Sequence, residues 1–380
     1  MAPGTRILLR TQMVGAISEV TSNEIVFPNR YAVAALVAVL LWTIAGPMQA
    51  QQRGAFRVGS IEAPPGQMAS GFLDIPAGVD EGTEIPVTVV NGARPGPVLA
   101  LIAGTHGYEY PPITALQRVR RQLEPAELAG TVIMVHIANL PSFLGRTIYY
   151  SPIDGKNLNR VYPGRPDGTV SERIAHAITT QVIECADYVV DLHGGDGNEA
   201  LRPYLYMPVT GEEELDAAVH GMAVAFGVDH IVIDEGRLVD PNMSVYTDQT
   251  ALTRGIPAIT TETGQLGSND EHWVDMAERG VWNLLRHLEM VAGEPEPETA
   301  IVWLTDYQVI PSPATGIFQP SVQDGYAVAE GGLLGILVDF FGDPISEIRA
   351  PFSGIVNYVL GTPPVSEGEP LAMVSRIVER

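Results

Sequence analysis

Cysteine and lysine are almost absent from this chain: Cys185 and Lys156 are the single examples of each among 380 residues. One cysteine can form neither an intramolecular disulfide nor a thiolate metal cluster. Its place between Glu184 and Ala186, near a helix end, predicts a buried apolar thiol. Positive charge is scarce as well. Lysine and arginine total 22 against 45 acidic residues, a net charge of -23. A surface that acidic excludes nucleic acid and anionic membranes as partners. It leaves room for a small anionic ligand, because a few local arginines can reverse the field inside a cleft. Long apolar runs are also few. Only Tyr31 to Gly46 is long and uncharged, with Arg30 before it and Ala50 a cleavage point after it. Residues 1–50 are therefore expected to be a leader carrying a signal peptide, which makes the protein exported and periplasmic, with an uncleaved N-terminal anchor as the alternative. No cysteine closely follows the run, so a lipoprotein anchor is excluded.

What is present describes a folded enzyme-sized chain. Hydrophobic residues make up 46% and charged residues 18%, a globular balance. From Gln51 to Pro97, short apolar segments alternate with Gly and Pro. From Pro111 the spacing of Ile113, Leu116, Val119 and Leu123 turns helical. Strand-like runs then alternate with helical ones up to Val291, with Ser171 the expected cap of one helix. This alternation predicts an α/β fold, a mixed open sheet flanked by helices, whose ligand site collects at the carboxyl ends of the strands. The Pro- and Glu-rich stretch at residues 293–299 reads as a linker between a catalytic domain, 51–292, and a small C-terminal β domain, 300–380. The latter resembles the hammerhead of biotinyl and lipoyl carriers, but it has no lysine and cannot be modified as they are.

Three strand ends carry chemistry. GTHGYEY ends an apolar run with His106 and Glu109, YVVDLHGG ends another with His193, and PAITTETG a third with Glu262. Two histidines and a carboxylate can hold a zinc ion with one position open for water, and a spare carboxylate can move protons. The helix-borne H-E-x-x-H and H-x-x-E-H motifs do not apply, since Gly107 and Tyr108 fill the gap and Tyr110 follows Glu109. Alone, H-x-x-E arises by chance and can be a surface turn. The long loop from Ala138 to Gly164 adds Arg146, Asn159 and Arg160. An arginine can stabilise an oxyanion, and an Asn-Arg pair suits a substrate carboxylate. His136, His176, His220, His230, His272 and His287 read as structural or solvated. Asp191 is read as serving its strand-end turn, although a carboxylate there could orient a ligand imidazole.

In this order GTHGYE, NLNR, DLHGG and TETG resemble the succinylglutamate desuccinylase and aspartoacylase family, a branch of the zinc carboxypeptidase superfamily. The resemblance covers about Thr83 to Val291. It implies one zinc per chain on His106, Glu109 and His193, Glu262 as general base and acid, Arg146 at the scissile carbonyl, and Asn159 with Arg160 at a substrate carboxylate. It also implies the C-terminal β domain. The expected activity is hydrolysis of the amide of an N-acyl amino acid or a similar small carboxylate-bearing amide. The alternatives are a carboxypeptidase acting on short or cell-wall peptides and a non-catalytic ligand-binding protein on the same fold. The expected partner is the small substrate, and a homo-oligomer is compatible with the sequence.

Overall fold

The computed structural model describes residues 54–235, 240–298 and 300–378. The expected leader therefore lies outside the described residues. Residues 53–380 form one compact unit. Among the described residues no helix is long and apolar enough to cross a membrane.

The first half contains β1 (Phe56–Val58), β2 (Ile61–Ala63), β3 (Gln67–Ile75), β4 (Thr83–Asn91), β5 (Arg94–Ala103), α1 (Tyr110–Gln122), β6 (Ala129–Val135), α2 (Leu140–Gly145) and α3 (Val170–Gln181). It continues with β7 (Tyr188–His193), β8 (Glu199–Leu201), β9 (Tyr204–Pro208), α4 (Glu213–Phe226), β10 (His230–Asp234), α5 (Thr247–Leu252), β11 (Ala258–Glu262) and α6 (Glu271–His287). The last part is all strand: β12 (Val302–Pro311), β13 (Gly316–Pro320), β14 (Ala327–Val328), β15 (Leu333–Val338), β16 (Pro344–Arg349), β17 (Gly354–Leu360), β18 (Pro364–Val365) and β19 (Pro370–Val378).

One large mixed sheet runs in the order β14-β17-β19-β12-β10-β9-β11-β7-β5-β6-β4-β3. Its centre is parallel: β6, β5, β7 and β11 are neighbours running the same way. Leu99 to Ala103 of β5 and Val189, Val190 and Leu192 of β7 are wholly buried. Such unbroken apolar runs are what a parallel strand covered on both faces requires. Helix α1 begins with Pro111 and Pro112, where missing N–H groups cost nothing, and buries Ile113, Leu116 and Val119. It packs on α6 through Ala115, Val274 and Ala277.

Two local expectations are corrected. Thr169, not Ser171, caps α3: its side chain and Glu172 form a reciprocal capping box, while Ser171 is buried inside the first turn and donates to Asp154 at 2.9 Å. Cys185 is exposed rather than buried. It ends a short 3-10 turn, Ile183–Cys185, in which Ile183 takes the inward position.

The C-terminal residues build a four-stranded antiparallel sheet, β16-β15-β13-β18, with its own apolar cluster around Phe318, Leu337, Val356 and Leu371. They also extend the large sheet, because β12 pairs in parallel with β10. The segment ahead of them is held down: Glu296 N donates to Asn283 Oδ1 at 2.9 Å, and Asn283 Nδ2 returns a bond to Glu296 O at 3.2 Å.

Candidate active site

The three motif-bearing strands β5, β7 and β11 are neighbours, so their carboxyl ends meet at one place. His106 lies in the turn after β5. Gly107 follows because an added Cβ would sit 2.4 Å from Thr147 O and 2.5 Å from Ser142 O, which leaves no space for a side chain. Glu109 stands at the N-cap of α1 but makes no side-chain cap bond. Its carboxylate turns to the histidines instead. Oε1 lies 2.7 Å from His106 Nδ1, and Oε2 lies 2.9 Å from His193 Nδ1. The other face of each imidazole is held. His106 Nε2 meets Asn157 Oδ1 at 3.1 Å. His193 Nε2 meets Asp191 Oδ2 at 3.0 Å and, further away, Asn159 Nδ2 at 3.3 Å. With Nε2 turned to Asp191 and Asn159, Nδ1 is the nitrogen that faces Glu109.

This arrangement suits a metal ion. Ligand atoms of His106, Glu109 and His193 all lie within 4.8 Å of one another, and all three residues are buried. Glu109 Oε2 accepts no well-aligned hydrogen bond despite its closeness to His193 Nδ1. Two imidazole nitrogens and a carboxylate with one unsatisfied oxygen, gathered at one point, are a donor set that a cation would satisfy. Electrostatics agree. Burial opposes ionisation of Glu109, yet the charges of His193 and His106 bring its pKa down to about 2. Burial also works against charge on both imidazoles. The carboxylates of Asp191 and Glu109 beside His193, and of Glu109 beside His106, nevertheless raise both above the ordinary value.

Glu262 ends β11 directly opposite His193 in the parallel ladder, on the same face of the sheet. It is half-buried, and the cavity reaches it. Burial pushes its pKa well above the carboxylate range, against the opposing charge of His193. A cavity of about 570 Å³ opens over these residues, with Asn159, Arg160, Lys156 and several tyrosines in its lining.

The Asn159–Arg160 pair is clamped from the start of α5. Thr247 donates to Asn159 Oδ1 from its N–H at 3.0 Å and its hydroxyl at 3.2 Å. The Arg160 guanidinium lies 4.7 Å from the centre of the Tyr246 ring. Arg146 is not brought in. It is exposed, takes a left-handed conformation (φ 49°) at the end of α2, and does not line the cavity. The carbonyl-polarising role expected for it has no support in this geometry. Asp191, read as serving its turn, touches a candidate ligand instead.

Sequence reasoning missed Asn157, Asp196 and Tyr246, and left the place of Tyr149 in the substrate loop open. Asn157 had a signal, since it opens the NLNR motif itself. Tyr149 sits edge-on to His106, with ring centres 5.7 Å apart, in a left-handed backbone conformation (φ 57°). Its N–H donates to Asp196 Oδ2 at 3.0 Å and its hydroxyl to Glu199 Oε1 at 2.8 Å. Burial and the nearby charge of Glu109 push Asp196 up to about 7.

The catalytic-domain model of the succinylglutamate desuccinylase/aspartoacylase family matches residues 95–288, a span holding the ligand cluster, the clamp and Glu262. N-α-acetyl-L-2,4-diaminobutyric acid deacetylase of Halomonas elongata is 31% identical over 320 residues, covering 81% of this chain and 92% of that one. The chain belongs to this family. It is a family of amide-hydrolysing deacylases, and its solved members share the architecture. A succinylglutamate desuccinylase/aspartoacylase from Rhodobacter sphaeroides aligns with TM-score 0.74 at 27% identity, over 86% of this chain and 97% of that one. The product-bound ectoine utilization protein EutE (DoeB) from Ruegeria pomeroyi gives the same score and identity over 87% and 98%.

Proposed function

We propose that this deacylase is zinc-dependent and removes the acyl group from an N-acyl amino acid. The observation that carries the reading is the convergence of His106 Nδ1, His193 Nδ1 and Glu109 beside a protonatable Glu262. A zinc ion held by His106, Glu109 and His193 supplies a Lewis acid that acidifies a water and polarises a carbonyl. The chain's own groups do the rest. Glu262 takes a proton from the attacking water and returns it to the departing amine nitrogen. Arg160, stacked on Tyr246, and Asn159, fixed by Thr247, receive the substrate carboxylate at the cavity mouth. The name of the Halomonas relative favours an N-α-acetylated diamino acid as substrate.

The test is metal content and acetate release together. The purified protein is expected to carry about one zinc per chain and to release acetate from N-α-acetyl-2,4-diaminobutyrate. His106→Ala is expected to lose both. Protein that takes up no zinc, or loaded protein that cleaves no N-acyl amino acid, overturns the reading. Export to the periplasm belongs to the same reading and rests on the apolar run at residues 31–46. Sequencing the mature N-terminus from a periplasmic fraction checks it.

A further inference from the structure

The oxyanion formed when water adds to the acyl carbon calls for hydrogen-bond donors among the residues that line the cavity. Among the lining tyrosines, Tyr246 lies under Arg160 and Tyr150 is 53% exposed; the other five differ in what their hydroxyls already do. Tyr149 donates to Glu199 and Tyr307 to Asp234, while Tyr204 and Tyr206 bond each other at 3.1 Å. Tyr358 is 7% exposed and lines the cavity, yet no hydrogen bond engages its hydroxyl among the described residues. That hydroxyl is not sealed in the core but opens to the cavity, where a ligand can meet it.

The backbone shows how Tyr358 comes to face the cavity. It lies on β17, in the C-terminal part of the chain. The pairing of β17 with β19 slips between Val356, opposite Val374, and Tyr358, opposite Met373. The extra residue is Asn357, buried and held by the Ser375 hydroxyl, which donates to its Oδ1 at 2.6 Å. Its carbonyl accepts from Arg202 N at 3.0 Å. A bulge of this kind turns the following side chain to the other face of the sheet. Glu199, Glu262 and Arg160 line the same cavity as Tyr358. Burial, helped by the two carboxylates, keeps the hydroxyl protonated and so a donor.

We propose that Tyr358, aimed by the β17 bulge, is a catalytic residue that donates a hydrogen bond to the oxyanion of the deacylation reaction. This rests on the deacylase reading above. The water oxygen bonds to the acyl carbon, and the water proton passes through Glu262 to the amine nitrogen. The C–N bond then breaks. Tyr358 keeps its own proton throughout and makes its bond to the former carbonyl oxygen. The C-terminal strands thereby become part of the catalytic machinery.

The test is Tyr358→Phe in the zinc-loaded full chain, which keeps the ring and removes only the hydroxyl. On an N-acetyl amino acid, kcat is expected to fall about 100-fold, the usual loss for one oxyanion donor, with KM within about threefold. Zinc content and melting temperature stay at the wild-type values. A second measurement uses a phosphonate analogue of the substrate, tetrahedral at the position of the acyl carbon. Tyr358→Phe is expected to weaken its binding by a similar factor. Unchanged kcat, or a rise in KM alone, overturns the proposal and assigns the hydroxyl to ground-state binding or to none. A wild type that binds the analogue through Tyr358 yet cleaves no N-acyl amino acid refutes the substrate reading and leaves this one standing. Analogue binding that ignores the hydroxyl refutes this one alone.

Discussion

At the scale of single residues, the site separates groups that bind from the one that moves protons. Glu109 and Glu262 are both glutamates of this site, with opposite shifts. Both face burial, but Glu109 lies between two imidazoles that hold it ionised, whereas Glu262 has only His193 opposing burial and other carboxylates that reinforce it. Glu262→Gln should therefore keep zinc and lose turnover by about 100- to 10,000-fold. Elemental analysis and acetate release on the same sample check this, and a variant that retains most of its activity removes Glu262 from the proton path. His106, Glu109, His193 and Glu262 were legible in the sequence because each follows an apolar strand within a recognisable motif. Arg146 ends α2 in a left-handed conformation, exposed and not among the residues that line the cavity, and nothing in the chain's order shows which way such a residue turns.

At the scale of elements, the long loop before α3 has to be positioned accurately, since it carries Asn157, Asn159 and Arg160. Glu172 does much of this. It accepts from Thr169 N at 2.9 Å and lies 3.0 Å from both Lys156 and Arg165. The bond from Thr169 N–H and the Lys156 charge outweigh the opposing burial and hold its pKa at about 2. Thr169→Ala opens the capping box and is expected to cost about 1 kcal/mol, a fall of about 2 °C in melting temperature. Calorimetry checks this, and an unchanged melting temperature would show that the box contributes nothing. The helix was legible from its apolar spacing. Its start was not, because Thr169 and Ser171 are both good caps, and the choice depended on which one Glu172 could reach back to. The bulge in β17 was likewise hidden, since no local residue pattern marks where two distant strands slip.

At the scale of the whole molecule, acid sensitivity has an identifiable contributor. Burial, and secondarily the charge of Arg120, lower the pKa of His136 from 6.5 to about 4. In the unfolded chain the ring takes a proton near pH 6.5, whereas the folded protein refuses it until about pH 4. The unfolded state thus binds more protons across that window, and stability falls as pH falls through it. His136→Gln should flatten the slope of unfolding free energy against pH between 6.5 and 4. Parallel slopes for variant and wild type in denaturant titrations would remove His136 as the cause. The sheet also shows why the C-terminal segment matters to the site. Tyr307, Val309, Tyr358 and Pro370 come from beyond residue 300 and line the cavity.

The sequence by itself determined the α/β class, the strand ends that carry the ligands, and the family. Those are properties of local spacing: apolar periodicity sets each element, and a motif at a strand's carboxyl end needs only its neighbours to be read. Tertiary structure alone decided that β5, β7 and β11 are adjacent, that Asp191 and Asn157 lie against the imidazoles, and that Tyr358 faces the cavity. Each of these depends on the packing of segments tens to hundreds of residues apart. Orientation there follows from burial and hydrogen-bond satisfaction over the whole fold rather than from the order of residues in any one stretch.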